Sequence, residues 1–99
     1  MNVVERNISK VVALCKQYKV KTLFVFGSVL TDKFHKDSDV DLLVDFNKND
    51  IHDYFDNFFE LKYALESVLG RKVDLVESGG IRNPYFFKQV EASKVRIYG

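Results

Sequence analysis

Leu23-Phe24-Val25-Phe26-Gly27-Ser28 and, after ten intervening residues, Asp39-Val40-Asp41-Leu42-Leu43-Val44 are the stretches on which the fold turns. Both contain short, bulky apolar runs bounded by polar segments, the pattern of buried strands. The first ends in a glycine and a serine; the second opens on two carboxylates. Side chains alternate along a strand, so Asp39 and Asp41 project from one face with Cα atoms roughly 6.5–7 Å apart, a spacing that lets both converge on hard cations. A third acid, Asp74, interrupts the apolar run Val73-Asp74-Leu75-Val76. A carboxylate in such a setting is costly unless it is paired or metal-bound. Beside a strand-to-turn Gly-Ser, these acids fit a metal-assisted phosphoryl or nucleotidyl transfer.

Each part of this constellation has a chemical reason. Gly27 at a strand end lets the backbone approach a phosphate closely, and a helix starting at the next residue offers free N–H groups to an anion. Ser28 adds a hydroxyl. If Gly27-Ser28 closes a strand over 21–27 and Asp39 and Asp41 open one over 39–46, a shared site requires these strands to be antiparallel. The strands over 39–46 and 72–77 are separated by a helical segment of about five turns, which favours a parallel crossover. The expectation is an α/β fold with a small mixed three-stranded sheet packed with helices, the Asp74 strand lying centrally.

The remaining segments supply those helices. Val4, Ile8, Val11, Val12, Cys15 and Tyr18 form a helical stripe over 3–18. Cys15 sits on that stripe and reads as a core thiol. Residues 28–36 read as a helical turn or two followed by a polar loop. Asp50 is placed to cap a helix that presents Ile51, Tyr54, Phe55, Phe58, Leu61, Leu65 and Val68 on one side and which Gly70 ends. Helical spacing assigns most of the aromatic cluster around Tyr54 to Phe59 to the core. Asn83-Pro84 is a helix start, and Phe87, Val90, Lys94 and Ile97 are spaced for a final helix. Tyr85, Phe86 and Phe87 exceed what one inward face can bury, so part of this group is expected to form an apolar contact patch for a partner.

Composition narrows the function. Ninety-nine residues are expected to form one domain over 1–99. A net charge of +1, with scattered Lys and Arg, argues against a dedicated nucleic-acid binder. No apolar run approaches the ~20 residues of a membrane span, and the first residues lack a signal-peptide pattern, so the expected location is cytoplasmic. The lone Cys15 excludes an internal disulfide and a cysteine-rich zinc site. Asp37-Ser38-Asp39-Val40-Asp41 begins like a helix–loop–helix calcium loop, but its sixth and twelfth positions hold Leu42 and Lys48 where that loop requires Gly and Glu. Asp37 therefore reads as a loop acid, Asp45 as a solvated strand end, and His35 and His52 as surface residues.

Gly-Ser, ten residues, Asp-x-Asp and a later Asp in an apolar strand resemble the signature of the DNA polymerase β-like nucleotidyltransferase superfamily. The short length, the Leu42-Leu43-Val44 tail and the ending from Arg82-Asn83-Pro84 to Arg96-Ile97-Tyr98-Gly99 are similar to its minimal nucleotidyltransferase (MNT) branch. The resemblance covers nearly the whole chain. It implies an antitoxin that transfers AMP from ATP to a tyrosine of a HEPN-domain ribonuclease toxin, its partner. It also implies roles by position: Gly27 and Ser28 hold the triphosphate, Asp39 and Asp41 bind two Mg2+ ions, and Asp74 completes the metal site near the attacking hydroxyl. The chain departs from the family pattern in one respect: many relatives carry Arg after Gly-Ser, where Val29 stands here. That removes one phosphate contact, for which Lys33 or Lys36 could substitute. The alternatives are a non-catalytic antitoxin acting by binding and occlusion, and a small-molecule nucleotidyltransferase, which would ordinarily need a second domain.

Overall fold

A computed structural model describes residues 2–99. The N-terminal stripe forms two helices rather than one, α1 (Val3–Arg6) and α2 (Ile8–Gln17). Asn2 and Glu5 cap α1 reciprocally. Asn7 breaks the run, its side-chain amide donating to the Val3 carbonyl at 2.8 Å, the local back-bonding by which Asn competes with helix continuation. The chain then forms β1 (Val20–Phe26), a single 3₁₀ turn Gly27–Leu30, and β2 (Val40–Phe46). Helix α3 (Tyr54–Leu69) follows, capped by the Asp53 side chain on the Asp56 N–H; Asp50 instead lies in a preceding 3₁₀ turn. Gly70 ends α3 at φ 65°, a left-handed conformation that glycine adopts without a Cβ penalty. After β3 (Val73–Glu77), Asn83 caps α4 (Pro84–Ser93) with Pro84 in its first turn.

The sheet has four strands, not three. Helix α4 stops at Ser93, Lys94 turns extended, and Val95–Tyr98 forms β4 against β1. Ile97 stands seven residues after Val90, which mimics a helical repeat. Val-Arg-Ile-Tyr nevertheless suits a pleated strand better, and the open edge of β1 supplies its hydrogen bonds. The order is β3-β2-β1-β4, so Asp74 lies on an edge strand rather than a central one. β1 runs antiparallel to β2 and β4, while β2 and β3 are parallel. The mixed sheet and its directions thus match the expectation.

The sheet's two faces have different fates. Leu23, Val25, Leu42 and Val44 project to one face and pack in the main core with Leu61 and Leu65 of α3. Each fully buried Leu or Val of this kind contributes roughly 1.5–3 kcal/mol. Cys15 lies in the same core, where burial pushes its thiol up to about 12, so it is an inert packing residue. The opposite face carries only a small cluster, Phe26 and Leu43 against Val90 of α4. Asp41, Asp74 and Phe26 occupy one transverse row, with Phe26 paired to Asp41 and Asp41 to Asp74. The thinly covered face is therefore the one that carries the acids.

Candidate active site

The corner is built by three strands in register. β1 delivers Phe26 and then Gly27, where the chain turns at φ +76°. The space a Cβ would take at Gly27 is already filled by the Asp41 carboxylate. Glycine is thus required here twice, for the left-handed backbone and for the close approach. Asp41 stands on β2 beside Phe26, and Asp74 stands opposite it on parallel β3. Adjacent strands lie about 4.8 Å apart, so the two carboxylates project side by side from one face of the sheet. Asp39 precedes β2 by one residue and is exposed, as is Asp74.

Asp41 senses this crowding. Burial first, then the charges of Asp74 and Asp39, push its carboxyl above the usual carboxylate range, while a hydrogen bond from the Ser28 backbone N–H draws it back. Among the described residues, no three acidic, thiol or imidazole side chains already form a cation cage. The site residues also divide between two hollows. Gly27 and Asp41 line a cavity of about 630 Å³ between the Gly27–Leu30 turn and α4, whereas Asp39 lines a polar hollow of about 380 Å³ with Lys36, Arg71 and Lys72. Ser28 and Asp74 line neither.

Arg71 and Gln89 escaped the sequence reading. The Arg71 guanidinium donates to the carbonyls of His35 at 2.6 Å and Ser38 at 3.3 Å, and lies 4.2 Å from the centre of the Phe34 ring. It clamps the loop that delivers Asp39. No motif flags it, because its partners are backbone carbonyls 33 and 36 residues away. On α4, Phe86 meets Phe26 edge-on at 5.9 Å and lines the large cavity together with Gln89 and Val90. Tyr85, 80% exposed, and Phe87 remain at the surface. Val29, the departure after Gly-Ser, is buried in the main core, while Leu30 and Thr31 line the cavity. Among the side chains of this turn only Ser28 carries a polar group. The aromatic cluster on α3 is only partly core: Phe55 is 68% exposed and stacks along the helix on Phe59 and Tyr63. Among the described residues, no helix is long and apolar enough to cross a membrane.

A family model described as polymerase beta, nucleotidyltransferase, matches residues 9–99. The chain belongs to this nucleotidyltransferase family. Among relatives of the family, a candidate protein adenylyltransferase of Methanocaldococcus jannaschii is 42% identical over 84 residues, covering 85% of this chain and 83% of its own. A toxin–antitoxin crystal structure with AMP-PNP superposes with a TM-score of 0.72 at 27% identity, over 94% of this chain and 73% of the other. A Shewanella oneidensis complex of a tri-AMPylated HEPN toxin with its MNT antitoxin gives 0.66 at 25% identity, over 96% and 71%. The polymerase β-like fold expected from the Gly-Ser and Asp-x-Asp phrases is the fold of this nucleotidyltransferase.

Proposed function

We propose that the chain is an antitoxin that transfers AMP from ATP to a tyrosine of a HEPN toxin and thereby neutralises it. The observation that carries this reading is the corner where Gly27 yields its side-chain space to Asp41, with Asp74 in register on the next strand. Likeness to an AMPylated toxin's antitoxin and to a toxin–antitoxin structure with AMP-PNP supports the acceptor and the donor.

The donor set suits magnesium: Asp39, Asp41 and Asp74 offer hard carboxylate oxygens, with no thiol or imidazole among them. Asp39 and Asp41 would hold two Mg2+ ions, with Asp74 completing the set. When bound, such ions neutralise phosphate charge and ease deprotonation of the attacking hydroxyl. The chain's own groups then divide the work. Gly27 and Ser28 receive the triphosphate through the backbone and hydroxyl of the turn. Asp74, exposed on an edge strand, faces the acceptor side and can take the phenolic proton. The tyrosine oxygen forms its bond to the α-phosphorus as the bond to the departing pyrophosphate breaks.

The occlusion reading makes a different forecast. Toxin incubated with the chain and Mg-ATP, then freed of the chain, should stay inactive if AMP was transferred. Recovery of ribonuclease activity on separation would mean that binding alone silences it.

A further inference from the structure

The cavity of about 630 Å³ is lined by the strand ends, the Gly27–Leu30 turn and α4. It begins at Gly27 and Asp41, where the proposed phosphates sit, and extends away from Asp74. One face of α4 forms its outer wall: Phe86, Gln89, Val90 and Ser93 stand at the i, i+3, i+4 and i+7 positions. Phe26 packs edge-on against Phe86 at 5.9 Å, so the two rings together form an aromatic part of the cavity lining. Its size falls within the range of small-molecule sites, which are mostly apolar with a few polar groups that fix orientation.

Those polar groups are unequal. The Thr31 hydroxyl is committed to the Ser28 carbonyl at 2.8 Å, and the Ser93 hydroxyl to the Gln89 carbonyl at 2.8 Å. The exposed Gln89 carboxamide carries a donor and an acceptor side by side on the cavity wall. That pairing complements the N6 donor and N7 acceptor of adenine; guanine presents two acceptors on the same edge.

We propose that this cavity holds the adenine ring of the donor nucleotide, packed against Phe86 and read by Gln89, which makes α4 the element that selects ATP. The assignment rests on the nucleotidyl-transfer reading and deepens it. It leaves the Asp74 edge to the acceptor, and it gives Phe86 a different task from its more exposed neighbours Tyr85 and Phe87.

Calorimetric titration of the full chain with ATP, GTP and inorganic tripolyphosphate, each with Mg2+, tests the assignment. Wild type should prefer ATP to GTP by roughly tenfold, and Gln89→Ala should erase that preference. Phe86→Leu, which keeps the packing against Phe26, should weaken both nucleotides by about tenfold. Tripolyphosphate should bind all three proteins equally. Unchanged nucleotide affinities in both variants, or a parallel loss for tripolyphosphate, would overturn the assignment. If wild type binds ATP no better than tripolyphosphate, the base has no site here, although the transfer reading survives. If it binds neither, the transfer reading falls as well.

Discussion

The Asp41 carboxylate occupies the space in which a side chain at Gly27 would lie. This contact ties the strand end that turns the chain to the acid that defines the corner. Gly27→Ala must displace Asp41 and also hold alanine at φ +76°. Strain of this kind costs roughly 1–3 kcal/mol. Chemical denaturation should show a loss of that size, and the stabilisation of the protein by Mg-ATP should disappear with it. A variant of full stability that still responds to Mg-ATP would show that the close approach is dispensable.

Arg71 makes a separable contribution. One guanidinium nitrogen, Nη1, donates to both the His35 and Ser38 carbonyls and thereby holds the approach to Asp39. Arg71→Ala should change global stability by no more than about 1 kcal/mol, because the loop lies outside the core. Amide exchange over 32–39 should accelerate while β2 stays protected, and Mg-dependent ATP binding should weaken. Lysine lacks the planar guanidinium that also packs over the Phe34 ring, so Arg71→Lys should restore little of it. Unaltered exchange in the loop would remove Arg71 from the site's support.

Asp74 distinguishes binding from transfer. It lies at the exposed edge of the sheet, whereas Asp41 lies between the edge and the Gly27 turn. Asp74→Asn should keep more ATP affinity than Asp41→Asn yet abolish AMP transfer to the partner. Equal loss of nucleotide binding in both variants would place Asp74 on the donor side instead.

Glu77 provides a pH-dependent control away from the acids. Its carboxylate accepts from Tyr54 and pairs with Lys48 at 2.6 Å, on the sheet face opposite Asp41. The Lys48 and Tyr54 hydrogen bonds hold its folded-state ionisation below the usual range. A depressed carboxyl stabilises the fold above its unfolded value, near 4.3, and that contribution is lost as pH falls through the folded value. Glu77→Gln should therefore cost about 1 kcal/mol at neutral pH, discounted for solvent access. The difference should close in acid, with transfer activity unaffected. A stability gap that widened below pH 4 would contradict the sign.

The central strands and their directions were legible because Leu23 to Phe26 and Leu42 to Val44 are apolar in both alternation phases, and because the acids had to share one end. Where the reading failed, a local pattern had two solutions. Ile97 satisfies a helical repeat and a strand equally, and only the open edge of β1 decides between them. Asp74 between valine and leucine resembles a central intrusion, but sheet order depends on which edges are free. The cavity wall was hidden for another reason. Phe86 and Gln89 become neighbours of Gly27 only when α4 folds across the sheet, a contact that spacing along the chain does not encode.

Transfer of label from ATP to a HEPN toxin is the most direct measurement. With ATP labelled on the α-phosphate, wild type should mark a toxin tyrosine covalently, and Asp41→Asn should leave it unmarked. With ATP labelled on the γ-phosphate, the toxin should remain unmarked, because pyrophosphate departs. Label arriving from the γ position, or a toxin silenced with no label from either, would contradict nucleotidyl transfer.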